Sequence, residues 1–285
     1  MGYSMRRHVL SALFMLGFCS LFVGCSQSLP WPSSPLYFPD DNSSFEQPKS
    51  KREAMEAIAG HYAHYDIVAY QESVSGTMMR TFIISYGFTD FHIENGKLIE
   101  SDRFCHAQQV INQKGVTSSL SDLATQAIKP DSAQVEVFFE DGKWRVYRKA
   151  TPSLIGIAGD SSLPLSMDRN SPHFTDPDKD GKPGMTVKIN VKNLFTGEVY
   201  IARREIFNNH LTLTQDGLFG YVEDYSEQLV IGASSSLFDK EANPHQNEDY
   251  GLSPMILVKV DEDLDTCEEL MAHRDDLFPK EPRFY

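Results

Sequence analysis

Val135-Glu136-Val137-Phe138-Phe139-Glu140-Asp141-Gly142-Lys143-Trp144-Arg145-Val146-Tyr147 is the stretch from which the fold is read. β-branched and aromatic residues flank Asp141-Gly142, a dipeptide that tolerates the positive φ angles of a two-residue hairpin, so the segment predicts two antiparallel strands. Asn95-Gly96 does the same between Phe91-His92-Ile93 and Leu98-Ile99, and Asp216-Gly217 between Leu211-Thr212-Leu213 and Leu218-Phe219. Further strands are expected at residues 62–70, 80–86, 186–191, 199–203, 228–231 and 255–260. One segment reads as helix: Leu120, Leu123, Ala124, Ala127 and Ile128 share a face, Ser119 with Asp122 caps the start, and Pro130 ends the run.

So many strands with so little helix must hide their edges, and the expected fold is all-β, an antiparallel barrel or a β-sandwich with one short helix. Calycin-like barrels are similar in carrying such a helix. No fixed-period repeat occurs, which argues against propellers and solenoids. At 285 residues, 41% apolar and 23% charged, the chain has material for one large core or two small ones, and disorder throughout is excluded. Residues 151–185 are rich in Gly, Pro, Ser and Asp, and either divide two lobes or form one long ordered loop. Lys and Arg number 26 against 40 Asp and Glu, a net charge of −14 that repels phosphate backbones, so no nucleic-acid partner is expected.

The first 24 residues read as an export signal: Arg6 and Arg7 precede an apolar run from Val9 to Gly24. Sixteen helical residues span roughly 24 Å, short of the hydrocarbon core of about 30 Å, which disfavours a permanent membrane span. The run ends Leu21-Phe22-Val23-Gly24-Cys25 and resembles the lipobox of bacterial lipoproteins, with Phe22 standing where that family prefers Leu. The resemblance implies cleavage after Gly24, acylation of Cys25 and a membrane anchor. Ser26 after the cysteine resembles lipoproteins forwarded to the outer membrane, so the expected address is the bacterial cell envelope. Arg6-Arg7-His8-Val9-Leu10 also resembles a twin-arginine signal, although the strongly apolar run favours the general secretory route. Residues 25–50, with five prolines and seven serines, read as a tether, complicated by Trp31, Tyr37, Phe38 and Phe45, whose blander role is docking on the domain that follows at 51–285. Removing the signal takes two Arg and no acid, leaving 24 basic against 40 acidic residues, a charge of −16.

Cys19 leaves with the signal and Cys25 takes lipid, so Cys105 and Cys267 remain for the folded part. In an exported chain two leftover thiols are expected to pair. Loop-closure entropy over so long a separation could contribute on the order of 4 to 5 kcal/mol.

Asp176-Pro177-Asp178-Lys179-Asp180-Gly181 sets three carboxylates at alternate positions ahead of a glycine, a pattern by which a chain curls around Ca²⁺. Lys182 supplies a backbone carbonyl at the seventh position, but the twelfth is Val187 where an EF-hand requires Glu, and a strand pattern follows instead of a helix. The expectation is a non-EF calcium loop with a structural ion, its remaining ligands drawn from elsewhere, Asp168 and Asn170 being candidates. Asp261-Glu262-Asp263-Leu264-Asp265 repeats the acid spacing without the glycine and reads as a solvated turn. Over residues 155–270 the acidic loop, its Lys182-Pro183-Gly184 exit, Gly197-Glu198-Val199-Tyr200 and a late cysteine resemble a group of uncharacterised bacterial lipoproteins. That resemblance implies a surface or periplasmic β domain with a metal loop and brings no activity.

No Gly-x-Ser-x-Gly, His-Glu-x-x-His or phosphate-loop pattern occurs in the chain. Gly159-Asp160-Ser161 resembles the nucleophile block of GDSL-type hydrolases but lies mid-chain with no Asp-x-x-His after it. His61 and His64 are three apart on a strand and face opposite ways, so they form no joint metal site. The function expected from the sequence is therefore non-catalytic: a lipid-anchored binding or structural protein with an unidentified protein or apolar small-molecule ligand. The alternatives are a carrier of an apolar ligand in a barrel cavity, and a Ser161 hydrolase using His173 or His210.

Overall fold

The computed structural model describes residues 28–39, 45–74, 77–192, 195–236, 238–239 and 244–284; the segment read as an export signal and Cys25 lie outside the described residues. In chain order the elements are α1 (Lys51–Ile58), β1 (Gly60–Val74), β2 (Thr77–Glu94), β3 (Lys97–Ile111), β4 (Val116–Ser119), α2 (Asp122–Gln126), β5 (Ala133–Gln134), β6 (Glu136–Glu140), β7 (Lys143–Arg148) and β8 (Ser153–Ile155). They continue with β9 (Met185–Val191), β10 (Phe195–Glu205), β11 (Phe207–Leu213), β12 (Gly217–Asp224), β13 (Glu227–Ala233), β14 (His245–Gln246), β15 (Pro254–Lys259) and α3 (Cys267–Leu277).

The strands join in one antiparallel sheet of order β13-β10-β9-β4-β3-β2-β1-β15-β12-β11-β7-β6, curled into a half-barrel. The all-β fold read from the sequence is the fold observed. Asn95-Gly96 and Asp141-Gly142 make their hairpins with positive φ at both residues (50° and 74°, 50° and 75°). The expected hairpin forms at Asp216-Gly217 too, but its turn is shifted by one residue: Leu213 pairs with Leu218, and Thr214 N–H donates to Gly217 O, leaving Gln215 and Asp216 at the tip. The expected helix is present as α2, starting after Ser121 instead of Ser119, and α1 and α3 are additional. Neither was legible as a helix, because each buries little of its own surface: Ala54 and Ile58 in α1, Leu270 in α3. Their caps hold them instead, Ser50 Oγ accepting from Glu53 N–H, and Thr266 forming a capping box with Glu269.

β1 shows how the alternation builds two cores. Ala63, Tyr65, Ile67 and Ala69 point to the outer face, where Phe82, Ile84, Tyr86 and Phe88 of β2 join them under α3 and the segments that carry Leu29 to Tyr37 and Phe278 to Phe284. Tyr62, Val68 and Tyr70 point into the curl, against Leu211, Leu218, Val222, Met255 and Leu257. Both faces of β1 are thereby buried, the outer one by α3 and the irregular segments beside it, the inner one by the curl of the sheet itself.

Strands on both sides of residues 151–185 share the sheet, so that segment is a long loop on one domain: β8 pairs with β10, Ile157 bridges Phe174, and Leu165 is buried. The tether reading of residues 25–50 changes over the described part. Trp31 stacks within 4.9 Å of Phe82 and 5.3 Å of Phe284, Tyr37 lies 6.1 Å from Tyr65, and Phe45 packs on the inner core, while Phe38 stays exposed. The aromatics explain the difference, since they gain more by covering the sheet than by extending a solvated stalk. Among the described residues no helix is long and apolar enough to cross a membrane.

Candidate functional site

The acidic loop runs from the Phe174 bridge into β9. Asp176 Oδ1 accepts from Asp180 N–H at 3.1 Å and Oδ2 from Gly181 N–H at 2.8 Å. Asp180 Oδ1 accepts from Lys182 N–H at 3.0 Å and Oδ2 from the Thr186 hydroxyl at 2.8 Å. Asp178 Oδ2 accepts from Thr186 N–H at 2.9 Å, but its Oδ1 is buried with no hydrogen-bond partner, on a residue only 8% exposed. One oxygen from each of the three carboxylates lies within 4.8 Å of the others. Gly181 N–H, foremost, holds the Asp176 carboxyl below the usual carboxylate range. Burial pushes the Asp178 carboxyl up, and the neighbouring Asp180 and Asp176 add to that. Carboxylates gathered this closely around a buried oxygen repel one another, and a proton or a cation relieves that repulsion.

Of the other residues read toward this site, Lys182 sends its ammonium to Glu198 and sits 3.6 Å from Asp180 Oδ2. Asp168 and Asn170 form their own turn, Asn170 N–H donating to Asp168 Oδ1 at 2.9 Å. Cys105 and Cys267 are joined in a disulfide, Cα atoms 5.2 Å apart, which fixes the start of α3 to β3.

A second constellation escaped the sequence reading. Inside the curl lies a cavity of about 100 Å³ whose wall includes His64, Asp66, Asp102, Arg148, Arg203 and Glu205. Thr89 Oγ1 donates to Asp102 Oδ1 at 2.7 Å, so at 2.8 Å it accepts from His64 Nδ1, and His64 Nε2 lies 2.8 Å from Asp66 Oδ1. An imidazole whose two nitrogens both donate is an imidazolium. Burial pushes the His64 pKa down, but Asp66 and then Asp102 outweigh it against Arg148, and the ring titrates above the ordinary histidine range. Arg148 Nε lies 3.1 Å from Glu100 Oε1, and its Nη2 is 3.6 Å from Asp102 Oδ2. His64 and Arg148 already balance Asp66 and Asp102, so fully buried Glu100 is an excess acid. Burial, and then the neighbouring Asp102, drive its pKa well above the usual carboxylate value despite Arg148.

Farther along the same wall, Arg203 donates to both oxygens of Glu205 (2.8 and 3.2 Å) and to Gln228 Oε1 (2.9 Å), while the Tyr70 hydroxyl donates to Asp224. On the outer face a larger concavity of about 790 Å³ runs past Tyr147, His210, Tyr221 and Tyr250. Their rings follow one another at 4.9, 4.7 and 4.8 Å. His210 Nε2 is directed at Glu223 Oε2 at 3.4 Å, whereas Ser161 is held through its carbonyl, which accepts from Arg204 Nε at 2.7 Å. His61 meets the Leu264 carbonyl on the opposite face from His64.

Compared with known proteins, the chain matches no family model, no curated protein and no solved structure.

Proposed function

We infer that the chain is a lipid-anchored protein of the bacterial cell envelope, held in the outer membrane through acylated Cys25, whose β domain is braced by a structural Ca²⁺ and serves a binding or structural role without catalysis. The observation carrying the metal is Asp178 Oδ1: a buried, unpartnered carboxylate oxygen converged on by two more carboxylates. Oxygen-only donors fit a hard cation, and the Asp176, Asp178 and Asp180 carboxylates with the Lys182 carbonyl would hold it. The ammonium of Lys182 faces Glu198 and offsets only part of the charge. The Cys105–Cys267 disulfide supports an oxidising compartment, in keeping with export.

A carrier role is less favoured by geometry, since the inner cavity is about 100 Å³, against roughly 300–1,000 Å³ for ligand pockets. A Ser161 hydrolase is less favoured too, because among the described residues Ser161 is held through its carbonyl and is joined by no hydrogen bond to His173 or His210. Two measurements on the full chain test the proposal. Labelled palmitate should enter the wild type and not Cys25→Ser; no incorporation removes the anchor. EDTA should lower the melting temperature and Ca²⁺ restore it; an unchanged melt removes the metal.

A further inference from the structure

We propose that the end of the sheet where β2 begins and β3 turns into β4 rests directly on the bilayer surface, so that the domain stands on the membrane without a spacer. The inference depends on acylation of Cys25 and adds to it an orientation.

Ser28 is not part of a free stalk. It bridges Gln113, its Oγ donates to Met78 O at 2.9 Å, and Leu29 N–H donates to Asn112 O at 3.1 Å. Asn112, fully buried, answers from the other side: its Nδ2 donates to Ser28 Oγ (2.9 Å), Leu29 O (3.1 Å) and Met78 O (3.1 Å). Arg80 Nη1 also donates to Leu29 O at 3.1 Å, and Trp31 is seated between Phe82 and Phe284. From Cys25 to Ser28 is three residues, a reach of at most about 10 Å even fully extended. An acyl-bearing sulfur at Cys25 therefore stays within roughly 13 Å of Ser28, and the bilayer surface stays near it.

The chemistry of that end suits a bilayer with anionic headgroups. Met78 is 37% exposed, Lys114 is exposed, and exposed Lys192 donates its N–H to Gly115 O with its side chain lying over that glycine. Among described residues 72–80, 112–116 and 190–192 the charged side chains are Glu72, Arg80, Lys114 and Lys192, a basic excess in a chain of net charge −14. The far end of the same hairpin carries Asp90, Glu94 and Lys97 and lies up to about 60 Å away along β2. Attraction of the near end and repulsion of the rest align the domain on a negative surface within a Debye length.

The test uses the full lipidated chain in vesicles of phosphatidylethanolamine and phosphatidylglycerol. An environment-sensitive fluorophore is placed at Lys114→Cys, in a turn, or at Lys97→Cys, at the start of β3, both exposed, and quenched by doxyl-labelled lipid. Quenching several-fold greater at 114 than at 97 is expected. An insertion of about ten Gly and Ser residues before Ser28, which lets the reach grow to roughly 20 Å, should abolish that difference. Equal quenching at the two sites, or greater quenching at 97, in a chain whose mass shows acylated Cys25 overturns the orientation and leaves the anchor standing. A mass without acyl groups overturns both.

Discussion

Cys105 is the extra residue of a β-bulge in β3 opposite Gly87 of β2: Tyr86 pairs with His106 and Gly87 with Phe104. The bulge shifts the phase of the strand, so that Asp102 and Phe104 before it and Ala107 and Gln109 after it all face the cavity, while the Cys105 sulfur is free to meet α3. A Cβ on residue 87 would stand 2.3 Å from Arg103 O, backbone that cannot step aside. Gly87→Ala should therefore destabilise by on the order of 2–4 kcal/mol in urea unfolding. A change within about 0.5 kcal/mol would show the bulge to be soft.

The double substitution Cys105→Ser, Cys267→Ser releases a crosslink separated by 162 residues. Loop-closure entropy sets the loss at up to about 5 kcal/mol, and α3 should fray from the outer core first because Leu270 is the residue it buries there. Reductant should lower the wild-type melting temperature and leave the double variant unchanged. Equal sensitivity in the two would count against the bond as a brace.

Asp178→Asn keeps the shape of the acidic loop and removes its buried, unpartnered charge. Calcium at a hundredfold excess over its dissociation constant should stabilise the wild type by about 2.7 kcal/mol, a shift of roughly 5–10 °C, and the variant much less. In EDTA the order should reverse, with the variant melting at or above the wild type, since a lone buried anion is costly. Retention of the full calcium response by the variant would exclude Asp178 as a ligand.

His64 and Glu100 both hold protons more tightly folded than unfolded, so their contributions share a sign. Stability from Glu100 is complete below its ordinary value of about 4.5 and falls as pH rises toward its elevated folded value; that from His64 is complete below about 6.5 and falls above it. Glu100→Gln removes the first of these. Its unfolding free energy, measured from pH 5 to 8, should decline less steeply than that of the wild type, leaving the His64 portion above neutrality. Parallel curves for the two proteins would mean that Glu100 is ionised beside Arg148.

The sequence disclosed what depends on local chemistry. Asn95-Gly96 and Asp141-Gly142 announce their turns through φ, and the spacing of Asp176, Asp178 and Asp180 announces their convergence. It did not disclose the interior charges, for a geometrical reason. His64 and Asp66, Glu100 and Asp102, and Arg203 and Glu205 occupy alternate strand positions, the pattern of a solvated face, and only the curl of the sheet turns that face inward. The repeated pairing of charges two residues apart in separate strands was the signal available. Asp216-Gly217 misplaced its turn by one residue because the dipeptide fits a tight turn while the register is set by Leu213 and Leu218, which both belong to the inner core.

Phe284 stacks 4.9 Å from Phe82 and lies 5.3 Å from Trp31, so the first and last described stretches of polypeptide close the same patch. A ribosome makes Trp31 long before Phe284. Until Phe284 emerges, the nascent chain carries a half-dressed aromatic surface, and the interval between the appearance of Trp31 and that of Phe284 is when a chaperone has the most to shield.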